Sequence, residues 1–203
     1  MPFPHVDPIP VPAPIWLMKV LLLLTLALHF VAVQILIGSL VAICWFSFRG
    51  KVASDQVAKT VASVLARRVT IVMTFLINLG IPPLLFAQVL YGRALYTSSV
   101  LIGVIWISII FLLMACYALL YRVQYRTANG EPAFCSAFIA LLLAAGVGRI
   151  LSLNMTLMLR PEVWSQMYAH SARGIFLPPS DPTGLPRWGF MMVGGLLTSG
   201  LWM

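Results

Sequence analysis

Residues 15–48 read IWLMKVLLLLTLALHFVAVQILIGSLVAICWFSF, a stretch broken only by Lys19, His29 and Gln34. A hydrocarbon core of about 30 Å takes roughly 20 apolar helical residues, so this run is long enough to cross it with tilt or protrusion to spare. A water-soluble domain could bury such a segment only beneath a wettable surface, and the rest of the chain cannot supply one. Of 203 residues, 61% are hydrophobic and 9% charged, and the mean hydropathy is +0.99. Soluble domains carry about 25% charged residues. The chain therefore reads as an all-α integral membrane protein.

Working outward from that run, three further apolar stretches cover 69–90, 97–121 and 133–159, and a shorter one covers 188–203. The expected architecture is a single transmembrane domain over 15–203 with about five spanning helices, preceded by a proline-rich outer arm over 1–14 that lacks the basic start of a signal peptide. Ser54 and Asp55 offer an N-cap for a helix that runs through Val57, Val61 and Val64 into the second span. After the fourth span, PEVWSQMYAHSARG places Pro161 at the first helical position and ends at Gly174. An outer helix is expected over 161–173, with Trp164, Met167 and Tyr168 forming one apolar face on the membrane interface. The proline-rich LPPSDPTGLPRW that follows cannot be a span. The final run is only about 24 Å long as a helix, and its small residues Gly194, Gly195, Ser199 and Gly200 predict tight packing on another helix. Either a longer polypeptide or a partner subunit covering Met203 is the expectation there.

Charge sets the orientation. Arg49, Lys51, Lys59, Arg67, Arg68, Arg122 and Arg126 lie on one side of this layout, and Arg93, Arg160, Arg173 and Arg187 on the other. The richer side is expected in the cytoplasm, which places the N-terminus and the 160–187 loop outside. The formal charge of +8 is accounted for by these loops, so no nucleic-acid partner is expected. Cys44, Cys116 and Cys135 show neither a disulfide framework nor a metal-binding spacing. All five acidic residues fall in the arm or loops, which excludes an intramembrane carboxylate relay and counts against a proton pump or ion-coupled carrier.

Ionisable and amide side chains inside spans are costly and therefore candidates for function. His29 lies near the middle of the first run. Its imidazole is suited either to axial ligation of haem iron or to a hydrogen bond with a neighbouring helix, and Gln34, Gly38 and Ser39 below it would let a flat macrocycle or another helix approach. Arg149, in AAGVGRILSLNMT with Asn154, cannot discharge itself and needs an anion or carbonyls: a haem propionate, a lipid phosphate, backbone, or a partner subunit's carboxylate. Asn78, Pro82, Pro83 and Gln88 predict a kinked second span whose freed carbonyls face protein or cofactor. Glu162, Trp164 and His170 on the outer helix are candidates for a quinone headgroup site, with a solvated helix face as the alternative for the two polar residues.

The strings LHFVAVQILIGS, NLGIPPLLFAQVLYG with YTSS after it, and DPTGLPRW resemble the N-terminal half of membrane subunits related to subunit I of cytochrome bd oxidases, in particular the group that works beside c-type cytochromes. The resemblance implies a bacterial cytoplasmic-membrane subunit of a respiratory electron-transfer complex. It implies His29 as a haem b ligand, Gly80 to Pro83 as the second-span turn, and quinone, other membrane subunits and c-type cytochromes as partners. The likeness departs at Leu84 and Leu85, where oxygen-reducing subunits carry a glutamate, and at Gly189 and Phe190, where the c-type-associated group carries a second histidine. Oxygen reduction is accordingly not among the expected activities. The alternative from another class is a cofactor-free membrane anchor or assembly subunit.

Overall fold

The computed structural model describes residues 10–171 and 173–202, the last two by their backbone alone. Residues 1–9 of the expected arm lie outside the described residues, as does Met203. The described chain is helical with no strand. Four helices are long and apolar enough to cross a membrane: α1 (Ile15–Val52), α2 (Gln56–Leu101), α3 (Gly103–Ala128) and α4 (Phe134–Met158). A single 3-10 turn, Pro161–Val163, leads into the short α5 (Trp164–His170), and α6 (Gly184–Trp202) closes the bundle.

The four long helices pack through one narrow interior. On α2, Ala58, Ala62, Ala66, Val69, Met73 and Leu76 recur every three or four residues and are buried, the spacing that aligns side chains on one helical face. Of these, Ala66, Val69, Met73 and Leu76 share one core with Leu36, Leu40 and Ile43 of α1, Cys116, Leu120 and Val123 of α3, and Ala137 and Ala140 of α4. The outer surface is equally apolar, with Leu23, Phe75, Phe111 and Leu142 among its exposed side chains. A contiguous apolar exterior of this extent is what lipid tails cover and water does not. The chain is thus a multi-pass membrane protein.

The long helices exceed the hydrocarbon core. At 1.5 Å per residue, the 38 residues of α1 and the 46 of α2 reach about 57 and 69 Å, so both project beyond it. Their joined ends form the basic extremity of the bundle. There Asp55 caps α2 by accepting from Ala58 N at 3.0 Å and pairs with Arg49 at 3.4 Å.

The second span, expected to end at 90, meets a break in helical geometry at Tyr91; beyond it the chain resumes as helix to Leu101 instead of looping, and Ile102 alone separates that helix from α3. The stretch YGRALYTSS contains one glycine and no proline, too little to stop a helix. The backbone leaves helical geometry within α2 only at Tyr91 (φ −129°, ψ 28°), well past Pro82 and Pro83, so the kink expected from the prolines falls nine residues beyond Pro82.

The outer helix is corrected as well. It is shorter than 161–173, and its Trp164 and Met167 are buried against Leu101, Ile102 and Leu157 instead of lying on lipid. Pro161 has no N–H to return to the Leu157 carbonyl four residues back. Arg160 N at 3.1 Å and the Trp164 indole N–H at 2.9 Å donate to that oxygen instead, which draws α5 onto the end of α4. Gly174, at φ +64°, holds the return turn so close that a Cβ would lie 2.4 Å from Gly103 N.

The last helix lies along α1 in the same direction. Gln34 meets Met191, Gly194 and Thr198, and Gly38 meets Ser199, so residue numbers rise together along both helices. Against α4 they run in opposition, with Gly184 beside Thr156 and Trp188 beside Ala145.

Candidate functional site

Two intramembrane groups singled out by sequence face inward on different helices, His29 toward α2 and Arg149 toward α6. His29 leans from α1 onto α2, where Gly80 makes room: a Cβ at that position would lie 3.0 Å from His29 Cε1. The His29 Nδ1 is 3.1 Å from the Leu76 carbonyl oxygen. A carbonyl can only accept, so Nδ1 carries the proton, and in the uncharged ring Nε2 then keeps its lone pair. A backbone carbonyl fixing one ring nitrogen in this way is the usual orientation for a histidine that ligates a metal through the other. The same bond also satisfies the ring as a helix-packing residue.

Arg149 projects from α4 toward the start of α6. A Cβ on Gly184 would lie 3.6 Å from its Nη1, and that Nη1 is buried without a hydrogen-bond partner. Because α6 runs parallel to α1, stepping back five residues from Gln34 to His29 corresponds to stepping back from 191–194 to 186–189, whereas the Arg149 guanidinium lies at Gly184, nearer the start of α6.

The small residues below His29 receive a helix. Gln34 donates through Nε2 to Met191 O at 3.3 Å and accepts through Oε1 from Thr198 Oγ1 at 3.2 Å. Ser199 Oγ donates to the Gln34 backbone oxygen at 3.3 Å. Of the two partners expected for the Gly38 and Ser39 face, α6 occupies the position.

The other sequence candidates do not converge on these groups. Asn78 is exposed and donates to Thr74 O at 2.8 Å within its own helix, and Gln88 is exposed too, so neither faces His29. Asn154 is 1% exposed, with Nδ2 donating to Ser99 Oγ at 3.5 Å and Oδ1 unpartnered. This contact joins α4 to the end of α2, away from the contacts of His29; reading 97–121 as one span missed it, and its signal was the polar Thr97-Ser98-Ser99 run.

Glu162, Trp164 and His170 are likewise dispersed. Glu162 is exposed and pairs with Arg160 at 3.3 Å, His170 sits edge-on to Phe176 with ring centroids 4.5 Å apart, and Trp164 is buried. Trp164 does border a wide cleft of about 460 Å³, which opens where α2 bends, between Tyr91, Arg93 and Pro161. Among the described residues no three His, Cys, Asp or Glu side chains gather as a metal site. Compared with family models, curated proteins and solved structures, the chain matches none.

Proposed function

We propose that the chain is a membrane-integral, non-pumping subunit of a bacterial respiratory electron-transfer complex. In this reading it handles electrons between quinol and haem or c-type cytochrome partners, with α6 as a fifth crossing and the N-terminus outside. The observation that carries the reading is the His29 imidazole, held by the Leu76 carbonyl as the Nδ1–H tautomer with Nε2 left basic for a haem iron. The buried Arg149 Nη1 without a hydrogen-bond partner would suit a propionate of such a group, since a guanidinium inside a span needs an anion or carbonyls. A bound haem b supplies a one-electron carrier within the bilayer. The chain's own part is to present Nε2, neutralise carboxylates with Arg149 and keep water out with the apolar walls around them. The cleft beside Tyr91 and Trp164 opens at the end of α2 nearer the outer loop, where a quinol headgroup would be received.

A second reading, a cofactor-free anchor or assembly subunit, is favoured by one observation: the Leu76 bond already satisfies His29 as a packing residue. The two are separated by adding a quinol analogue to the purified native complex. The electron-transfer reading expects reduction of a cytochrome absorbance associated with this chain and its reoxidation by a c-type cytochrome. A redox-silent complex that still needs the chain for assembly supports the anchor.

A further inference from the structure

We infer that the basic end of the bundle holds a binding site for the phosphate of an anionic glycerophospholipid. Ser47, Gly50 and Lys51 of α1, Lys59 of α2 and Thr127 of α3 surround a cavity of about 220 Å³, closed on one side by the Gly130 to Pro132 turn. At about 30 Å³ per water molecule, it has room for a headgroup phosphate and accompanying water, not for acyl chains.

Its polarity is matched to an anion. Ser47 is 6% exposed, and its hydroxyl, at the cavity wall, has no hydrogen-bond partner. A buried donor left this way is expensive unless a ligand or water satisfies it. Gly50 admits the Lys59 stem: a Cβ there would lie 2.8 Å from Lys59 Cγ, so any side chain at 50 would push the ammonium off the cavity. Of the two carboxylates here, Asp55 pairs with Arg49 at 3.4 Å, and Glu131, which itself lines the cavity, has its charge countered by Arg126 at 3.3 Å. Lys51 and Lys59 have no ion-pair partner among the described residues and remain as two positive charges facing one cavity. The Thr127 hydroxyl donates to Val123 O and Gln124 O and is not available to a ligand.

The surroundings identify lipid as the source of the phosphate. Phe48, three residues before Lys51 on α1, and Phe134, two residues after Pro132, are exposed with their rings 6.0 Å apart, and Trp45 is exposed on α1 as well. Aromatic side chains of this kind mark the membrane–water interface, and below them the exterior is apolar. A diacyl phosphate seated between Lys51 and Lys59 would continue directly onto that surface. Basic pockets between spanning helices are the general form of such headgroup sites.

The test is lipid retention by the full-length protein in phosphatidylcholine nanodiscs supplemented with phosphatidylglycerol, read by native mass spectrometry and by thermal melting. Wild type should retain phosphatidylglycerol and melt higher with it. The Lys51→Gln, Lys59→Gln double variant should bind about thirtyfold more weakly, the Lys51→Arg, Lys59→Arg variant should restore binding, and Arg122→Gln, outside the cavity, should leave it unchanged. If the double variant does not fold, Ser47→Ala carries the test, with a smaller loss in the same direction. Undiminished binding by the variant that folds, or an equal loss in Arg122→Gln, would overturn the site. Inorganic phosphate raising the melting temperature where phosphatidylglycerol does not would overturn the lipid assignment.

Discussion

Replacing Gly38 by alanine should separate α6 from α1. The added Cβ would lie 2.2 Å from Ser199 Cβ and 2.5 Å from the Gly195 carbonyl oxygen. Carbon atoms rest at about 3.5–4.0 Å, so the clash with Ser199 Cβ requires a displacement of more than 1 Å. Rotating the Ser199 hydroxyl relieves neither contact, because Cβ and the carbonyl belong to the frame of α6. Overpacking of this kind costs about 2 kcal/mol, roughly a thirtyfold change in the folding equilibrium. The displacement also stretches the Gln34 bonds to Met191, Thr198 and Ser199, which start at 3.2–3.3 Å and contribute about 0.6 kcal/mol apiece in a membrane. The measurement is equilibrium unfolding in mixed micelles, followed by the emission of tryptophans including Trp188, which donates to Ala145 O at 2.9 Å across the α4–α6 contact. Gly146→Ala is the control: nothing lies within 4 Å of its Cβ position, and relief of glycine's helix penalty should leave stability unchanged or slightly raised. Equal stability of Gly38→Ala and wild type would refute the packing argument.

Three further outcomes are expected. Trp164→Phe removes the indole N–H that stands in for the missing Pro161 donor at Leu157 O, so α5 should loosen by about 1 kcal/mol, seen as faster amide exchange over 164–170 with the spans unaffected. The Asp181 carboxyl is held below its usual range chiefly by the Thr183 hydroxyl, then by the Thr183 backbone N–H, with Arg160 and Arg187 adding to the effect. Its contribution to the turn into α6 is present above the unfolded value near 4 and disappears as pH falls through the lower folded value. Exchange at Gly184 to Arg187 should accelerate only in that acidic window, and Asp181→Asn should remove the pH dependence. In a Cys135→Ser background, Ser180→Cys should react with an impermeant reagent applied outside and Ser54→Cys should not; the opposite pattern inverts the orientation.

Much of the bundle was legible because lipid imposes a simple code. The apolar runs at 15–48 and 69–90 lie within α1 and α2, the run at 133–159 covers α4 and its two capping residues, and Asp55 caps α2 because an acidic side chain there meets free N–H groups. The sequence was silent where two environments look alike. An apolar face such as Trp164 and Met167 serves equally for lipid or for a protein neighbour, and only the docking of α5 onto the α2–α3 turn distinguishes them. The boundary near 91 followed from the end of an apolar run, and the backbone does break at Tyr91; that the chain then resumes as helix depends on backbone donors, which YGRALYTSS retains. For the candidate site, His29 and Arg149 stood out by the expense of burying them, yet which helix each meets, α2 for His29 and α6 for Arg149, depends on packing that no single helix encodes. The cavity at the basic end escaped for a related reason. Ser47, Gly50 and Lys51 share a helical face, but Lys59 joins them only after the chain reverses at Ser54.

The central claim, that His29 presents Nε2 to a haem, is tested most directly by the haem content of the purified chain, measured by its visible spectrum and by extraction of the pigment. The account predicts haem b stoichiometric with the wild-type chain, lost in His29→Leu and retained in His170→Leu. A wild-type chain without haem, or a His29→Leu chain with an unchanged spectrum, would contradict it.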